Sequence, residues 1–192
     1  MPPKVRITGE DILNAAFSLV RERGMHALNA RELAMRLSCS TQPIFCNFAS
    51  MEALREAVLV RANACYLAKL SEDMSAGRYP PYKASGMSYI DFAVTEPRLF
   101  ECLFMRDRSG EDRTWDFQDI APIVEMIMQA NGFSRGEAEE FHFSMWMWVH
   151  GVAVSVVSGY MMYDEAMIAE MLSDVYFGLC ARYRERKGVQ HE

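Results

Sequence analysis

The sequence has few of the features that mark an extracellular or membrane protein. Its five cysteines are an odd number, and no two of them are spaced as Cys-x-x-Cys, which argues against a disulfide framework and for a reducing compartment. The chain begins Met-Pro-Pro-Lys without an apolar leader, and it has no uninterrupted apolar stretch of membrane-spanning length. We therefore expect a cytoplasmic protein with no membrane partner.

The sequence also lacks the motifs of common enzyme classes. It has no His-Glu-x-x-His pair, no glycine-rich phosphate loop and no nucleophile with a matching base. Glu139 and His142 have the spacing that places a carboxylate and an imidazole on one helix face in di-iron bundles, but no second Glu-x-x-His occurs. No metal, cofactor or catalytic activity is expected, and a metal-dependent helical-bundle enzyme is kept as an alternative.

Charge is unevenly distributed along the chain. The formal net charge of −6 argues against a generally nucleic-acid-binding surface. Residues 1–62 hold 8 basic and 6 acidic side chains, a net charge of +2, whereas the remaining 12 basic and 20 acidic side chains give −8. A mildly basic head on an acidic body fits a protein that contacts DNA at one end only.

Two capping patterns and a glycine delimit the first two predicted helices. Thr8 precedes an apolar repeat of helical spacing that ends at Gly24, a residue that closes a helix at positive φ without steric cost. Asn29 and Glu32 form the capping pattern of a second, shorter helix that ends near Ser38.

A third helix is predicted directly after a tight break at residues 37–40. Ser40 is a suitable cap, and Pro43 falls in the first turn, where its missing N–H breaks no intrahelical hydrogen bond. Ile44 and Phe48 then face inward. The outer side carries hydroxyl, amide and aromatic groups from Thr41, Gln42, Phe45 and Asn47. Two short helices around a tight turn, with such an outer side, predict a helix-turn-helix DNA reader.

The run from Ile12 to Leu59 resembles the N-terminal DNA-binding domain of the TetR family of bacterial transcriptional repressors. The residues that carry the resemblance are Ala15-Ala16, Gly24, Arg31-Glu32-Leu33-Ala34, Leu37, Phe45, Phe48 and Glu52-Ala53-Leu54. The candidate DNA-contacting residues are then Asn29, Arg31, Ser40, Thr41, Gln42, Phe45 and Asn47.

Three positions depart from the pattern of that family. The family usually has Tyr, His and Lys where this chain has Phe45, Asn47 and Met51. Because the resemblance implies that each position contacts phosphate, we expect weaker salt-dependent DNA affinity than a typical member has. Arg31 partly offsets the loss, since a guanidinium can hold a guanine edge with two hydrogen bonds.

Helical patterns continue through the rest of the chain, and no strand pattern appears. A long connecting helix through residue 70 precedes predicted helices at about 82–94, 97–105, 117–130, 135–160 and 164–186, and the charged segment 106–114 is predicted to be a disordered loop. The predicted fold is all-α. An N-terminal three-helix helix-turn-helix DNA-binding domain, residues 1–56, is joined by the connecting helix to a larger helical effector-binding and dimerisation domain, residues 57–192.

The last two predicted helices are long and apolar enough to form a helix pair that a homodimer shares. Gly151, Ser155 and Gly159 recur every four residues, and small residues on one stripe let a second helix approach closely. An intramolecular packing stripe is the alternative. The run from Trp146 to Gly151, with His150, also resembles a Trp-x-x-x-His-Gly element of one subgroup of TetR effector domains.

The body is rich in side chains that suit a small hydrophobic or aromatic effector. The chain has 15 methionines and 11% aromatic residues, which offer adaptable apolar surface. The candidate effector-contacting residues are Tyr66, Phe92, Phe104, Met126, Met145, Trp146 and Val149. For each of them, plain core packing is the competing interpretation.

These patterns predict a transcriptional regulator with double-stranded DNA, an effector and a second copy of itself as partners. A homodimer would place two recognition helices in successive major grooves, about 34 Å apart, on a palindromic operator. Effector binding in the body would release a repressor of this kind. The alternative is a helical ligand-binding protein that has lost specific DNA binding.

Overall fold

The computed structural model describes residues 7–107 and 120–189. Within these ranges the chain forms nine α-helices and no strand, so the predicted all-α fold is confirmed. The helices are α1 (Gly9–Arg23), α2 (Ala30–Arg36), α3 (Gln42–Asn47), α4 (Met51–Ser75), α5 (Pro81–Thr95), α6 (Pro97–Phe104), α7 (Ala121–Asn131), α8 (Arg135–Val157) and α9 (Glu165–Val189). None of these helices is both long and apolar enough to cross a membrane.

The helices form two compact units. The first contains the described residues up to Ala68 together with Glu96–Asp107, and the second contains Lys69–Thr95 and residues 120–189. The boundary therefore falls inside α4, and α6 belongs to the first unit. The functional division at residues 56 and 57 stays a prediction, because compactness and function need not divide a chain at the same residue.

The first unit is built around α1, which packs against α2, α3 and α6. A capping box starts α1, as predicted: Thr8 Oγ1 accepts from the Asp11 N–H at 3.1 Å, and the Thr8 N–H donates to the Asp11 carboxylate at 2.9 Å. An ion pair between Arg21 and Glu96 joins α1 to the start of α6. The fully buried side chains of this core include Ile12, Leu19, Val20, Leu33, Ile44, Leu54, Val58, Leu99 and Phe100.

The second unit is a bundle of α5, α7, α8 and α9, with α8 in contact with the other three helices. Ser134 and Glu137 form the predicted capping box at the start of α8. Gly86 allows close packing of α5, because a Cβ there would lie 3.1 Å from the Leu172 side chain. The core of this unit includes Ile90, Phe92, Val124, Ile127, Phe141, Met145, Ile168 and Leu172.

Several predicted helix ends differ from the structure, and the backbone hydrogen bonds explain two of them. The cap of α3 is Thr41 rather than Ser40, because the Thr41 carbonyl accepts the N–H of Ile44 at 3.1 Å. Helix α8 ends at Val157 rather than near residue 160, because Gly159 adopts φ 72° and its N–H turns back to the Val156 carbonyl. Most of the predicted loop 106–114 lies outside the described residues, as do residues 117–119 of the predicted helix.

Candidate nucleic-acid interface

A tight turn at Ser38 sets the angle between α2 and α3. Ser38 is in the left-handed region at φ 52°, and its N–H donates to the Met35 carbonyl at 3.1 Å. The next N–H, of Cys39, reaches back to the Ala34 carbonyl at 3.0 Å. These two bonds close α2 after Arg36, and α3 begins at Gln42, six residues later.

One side of α3 is buried and the other is open. Ile44 is fully buried, whereas Gln42, Phe45 and Asn47 are exposed, with half of the Phe45 surface accessible. The Asn47 amide donates to the Pro43 carbonyl at 2.8 Å, which fixes the orientation of its side chain along the helix. The structure thus places the predicted outer side of α3 together on one accessible surface, beside the exposed Ser40 and the half-buried Thr41.

Asn29 performs a structural task at the start of α2. Its Oδ1 accepts the N–H groups of Arg31 and Glu32 at 3.1 Å and 3.0 Å, and its Nδ2 donates to the Ala27 carbonyl at 3.2 Å. Both ends of the amide are therefore occupied by neighbouring backbone. Asn29 thus holds the first turn of α2, which carries Arg31, and its contact with DNA stays a prediction.

Arg31 differs from the other arginines between positions 21 and 61, a stretch that the structure describes in full. The other five are held by carboxylates: Arg21 by Glu96, Arg23 by Glu32, Arg36 by Glu22, Arg55 by Glu52 and Arg61 by Glu10. Arg31 is exposed in the first turn of α2 and has no ion pair with a described residue. Its guanidinium is thus available to a phosphate or a base edge.

The candidate effector-contacting residues fall in both compact units. Tyr66 and Phe104 belong to the first, where their rings meet edge to face with centroids 5.3 Å apart. Phe92, Met145 and Val149 are buried in the second unit, on helices that pack together, whereas Met126 and Trp146 are half-buried there. Burial raises the pKa of Tyr66 to about 12.

Two histidines on α8 are tied to tyrosines on α5. His142 Nδ1 lies 3.2 Å from the Tyr82 hydroxyl, and His150 Nδ1 lies 2.9 Å from the Tyr89 hydroxyl. Burial lowers the pKa of both imidazoles. Glu139, the other member of the Glu-x-x-His pattern, faces Arg135 at 3.6 Å, and within residues 7–107 and 120–189 no three metal-ligating side chains lie together.

An exposed apolar stripe on α8 was missed by the sequence reasoning. Phe143 and Met147 are about half exposed, and they precede Gly151 at four-residue spacing. A Cβ at Gly151 would meet no described atom within 4 Å, so close packing inside the subunit does not require this glycine. Gly159 lies beyond the end of α8, so the predicted stripe of small residues keeps two helical members, Gly151 and Ser155.

Comparisons with known proteins assign the chain to a family. The model of the tetR family of bacterial regulatory proteins matches residues 12–58. A second model, of the C-terminal domain of tetracyclin repressor-like proteins, matches residues 82–176. Together they cover most of the chain. No curated protein matches the sequence.

Solved structures share the fold at low sequence identity. A protein described as a transcriptional regulator from Pseudomonas aeruginosa PAO1 is 14% identical, with a TM-score of 0.70 over 94% of this chain and 96% of its own. A TetR-like regulator from Rhodococcus sp. RHA1 is 16% identical, with a TM-score of 0.64 and coverages of 92% and 96%. A TetR variant from Acinetobacter baumannii AYE in complex with minocycline is 17% identical, with a TM-score of 0.60 and coverages of 93% and 97%. These structures share the fold, and the two family models show that the chain belongs to the TetR family and is a DNA-binding transcriptional regulator.

Proposed function

We propose that the chain is a homodimeric cytoplasmic repressor that leaves a palindromic operator when a small hydrophobic effector binds its helical body. The observation that carries the DNA-binding part is that Arg31 has no ion pair with any residue that the structure describes. Five neighbouring arginines are neutralised by carboxylates, whereas Arg31 is exposed in the helix-turn-helix motif. A guanidinium in that position can hold a guanine edge or a phosphate with two hydrogen bonds.

The accessible side of α3 supports contact with base edges. The Gln42 amide can pair with adenine through a donor and an acceptor, and the exposed Phe45 ring can contact a thymine methyl group. The Asn47 side-chain amide already donates to the Pro43 carbonyl, so it has less hydrogen-bonding capacity left for a base edge. We infer that Arg31 and Gln42 supply most of the direct sequence reading.

Homodimer formation is supported by the apolar stripe of α8. Phe143, Met147 and Gly151 lie on one side of the helix, and α9 adds the exposed Met167 and Met171. A second copy would bury these side chains across a two-fold axis. Two recognition helices carried by such a dimer suit an operator with two half-sites.

The effector part of the proposal rests on the aromatic and methionine side chains that pack together in the second unit. Phe92, Met145 and Val149 come from two helices that pack against each other, and Trp146 stands beside them half-buried on α8. The structurally similar Acinetobacter protein is in complex with minocycline. That complex supports a small organic effector with an aromatic part for the present chain, in keeping with the aromatic and methionine side chains of this unit.

A promoter assay and a footprint test the proposal together. We expect the protein to lower transcription from its own operator and to protect two half-sites whose centres are about one helical turn, roughly 34 Å, apart. An effector that restores transcription should bind the operator-bound protein more weakly than the free protein, by the same factor by which it weakens operator binding. Equal effector affinity in the two states would contradict release by effector.

The alternative is a ligand-binding protein without specific DNA recognition. Phe45, Asn47 and Met51 favour it, because none of them supplies the phenol, imidazole or ammonium that the family pattern has there. Retained effector binding with equal affinity for operator and scrambled DNA would identify this second function.

A further inference from the structure

The segment from Leu37 to Leu54, which contains α3, has no basic side chain. Lysine, arginine and histidine are all absent from it, and the structure describes every residue of this segment. The commonest way in which a protein recognises guanine is a bidentate contact from arginine or lysine to its O6 and N7 atoms. Helix α3 therefore has no side chain of its own that could make this contact.

The two cations that flank the segment are already engaged. Arg36 Nη1 donates to Glu22 Oε2 at 2.8 Å, and its second Nη group pairs with the other oxygen of that carboxylate. Arg55 Nη1 lies 3.0 Å from Glu52 Oε2, and its Nη2 donates to the Leu28 carbonyl at 3.3 Å. Glu52 is the one carboxylate of the segment, and it belongs to α4. A base that faces α3 thus meets no charged side chain of that helix.

Three neighbouring side chains form the accessible surface of α3. Gln42, Phe45 and Cys46 are all exposed, and residues three and four positions apart lie side by side on a helix. We call these three residues the α3 patch. Its members supply one amide, one aromatic ring and one thiol.

Asn47 is not part of this patch, because both ends of its amide lie against neighbouring backbone. Its Nδ2 donates to the Pro43 carbonyl at 2.8 Å. Its Oδ1 lies beside the start of α1, where it would be 3.4 Å from a Cβ at Gly9. Gln42 is then the one amide that α3 offers to a base edge.

The chemistry of the α3 patch matches A·T base pairs. A glutamine amide can donate to adenine N7 and accept from the adenine N6 amine. An aromatic ring can contact the C5 methyl group of thymine, and an uncharged cysteine is a small apolar side chain that can do the same. Among the four ordinary bases, thymine alone presents a methyl group in the major groove.

We infer that α3 reads A·T base pairs, with Gln42 on an adenine edge and with Phe45 and Cys46 against thymine methyl groups. The inference rests on the proposed function, because it concerns the operator that the repressor selects. It adds Cys46 to the residues that determine sequence specificity. Arg31 belongs to α2, so a guanine that it holds is read by a different helix.

Deoxyuridine tests the methyl contacts, since it pairs with adenine as thymine does and lacks only the C5 methyl group. The full-length protein first selects a site from a random duplex library, and each thymine of that site is then replaced singly. Anisotropy titrations should show two thymines in each half-site whose replacement weakens binding about fourfold, the effect of one apolar carbon returned to water. A selected palindrome in which no replacement weakens binding would overturn the inference and leave the repressor proposal standing. Absence of any enriched sequence would overturn both.

Cytosine methylation separates methyl contact from other properties of A·T pairs. Replacement of a sensitive A·T pair by G·C should weaken binding at least about fivefold. A 5-methylcytosine in the new pair restores a methyl group to the same place in the major groove and should recover about fourfold of the loss. No recovery at either sensitive position would contradict methyl recognition.

Three variants assign the methyl contacts to residues. Cys46→Ser is nearly isosteric and makes the side chain polar, so the ratio of affinities for thymine and deoxyuridine at its position should fall from about four to about one. Phe45→Ala should have the same effect at the second position. Met35→Ala is the control, because it removes an exposed apolar side chain of α2 and should leave both ratios unchanged. Unchanged ratios in both α3 variants would overturn the inference.

Alkylation of cysteine measures the position of Cys46 independently. The structure describes all five cysteines of the chain: Cys46 is exposed, Cys39 and Cys65 are half-buried, and Cys102 and Cys180 are buried. N-ethylmaleimide should therefore modify Cys46 first, which peptide mass spectrometry detects. The selected duplex should protect Cys46 from this reaction, and a scrambled duplex should not. Modification at an equal rate with both duplexes would contradict contact between Cys46 and the base pairs.

Discussion

The imidazole of His150 lies flat on the indole of Trp146, with ring centroids 4.8 Å apart and ring planes 9° apart. Residues four apart on a helix are neighbours on its surface, so the spacing of this pair alone brings the two rings together. The hydrogen bond between His150 and Tyr89 then ties α8 to α5. The pair is thus part of the packing between two helices of the second unit.

Burial of the two α8 histidines predicts a loss of stability in mild acid. The folded-state pKa values of His142 and His150 lie below their ordinary value of 6.5. The unfolded chain therefore binds more protons below pH 6.5, and the stability that the neutral imidazoles contribute is present above that pH and lost as the pH falls. Between about pH 7.5 and pH 5.5 the Tm should fall less in the double variant His142→Gln, His150→Gln than in the wild type. An equal fall in both proteins would show that other groups control the acid response.

Removal of the Arg31 side chain should weaken operator binding. Arg31→Ala should reduce affinity by about 1–3 kcal/mol, roughly five- to 150-fold, because a bidentate contact is lost. Arg36→Ala is the matched control, since Glu22 already holds that guanidinium, and its effect should be much smaller. Fluorescence anisotropy with labelled operator measures both. Equal losses of operator affinity in the two variants would contradict a specific DNA contact by Arg31.

Restoring a lysine at the start of α4 should strengthen DNA binding. Met51→Lys should raise affinity at low salt and steepen the dependence of log K on log salt by about one unit, as expected for one added phosphate contact. Met35→Lys is the control. Met35 is an exposed methionine of the first unit, so its replacement adds the same positive charge at a different position. If both variants change the slope equally, the gain reflects net charge and not position 51.

Bulk at Gly151 should disrupt the homodimer without disrupting the subunit. A Cβ at this exposed position would meet no described atom within 4 Å, and leucine is a better helix former than glycine, so Gly151→Leu should keep its helical content. If the α8 stripe is the interface, the dimer dissociation constant should rise at least about tenfold, which corresponds to about 1.4 kcal/mol. Gly136→Leu, on the same helix and also in open space, should have no effect. Analytical ultracentrifugation gives both constants, and a dimer of undiminished affinity in Gly151→Leu would place the interface elsewhere.

Glycine at position 38 should stabilise the first unit. Ser38 adopts φ 52°, a conformation that costs a residue with a Cβ roughly 1–2 kcal/mol. Glycine would remove this cost, but its greater flexibility in the unfolded chain offsets part of the gain in stability. Ser38→Gly should therefore raise the free energy of unfolding by about 0.5–1 kcal/mol in urea titrations. A decrease would mean that the serine side chain makes a stabilising contribution that outweighs the strain.

The features predicted best from the sequence are those that depend on near neighbours in the chain. The capping boxes of Thr8 and Ser134 need residues three positions apart and nothing else, and both are present. Ser40 and Thr41 are both acceptable caps, so local pattern could not choose between them. The sequence alone predicts Gly159 to lie on α8, because the four-residue spacing of small residues continues to it. In the structure α8 ends two residues earlier.

Features that depend on distant neighbours were not predictable in this way. Helical periodicity located α6 but not its packing against α1 in the first unit. Within residues 7–107 and 120–189 Arg31 has no ion pair because the nearby carboxylates are taken by the five other arginines, and three of those pairs join residues 14 or more positions apart. The exposure of Phe143 and Met147 could not be predicted, because apolar residues occur on several faces of α8. Helical periodicity then does not show which face is buried.

The most direct test of the account is a comparison of operator and scrambled DNA. Fragments selected from the source genome by the full-length protein should contain an enriched palindrome, and anisotropy titrations across salt concentrations should show that it binds at least about 10³ tighter than a scrambled duplex. Failure to enrich any sequence, with the protein shown to be folded and dimeric, would contradict specific DNA reading by α2 and α3.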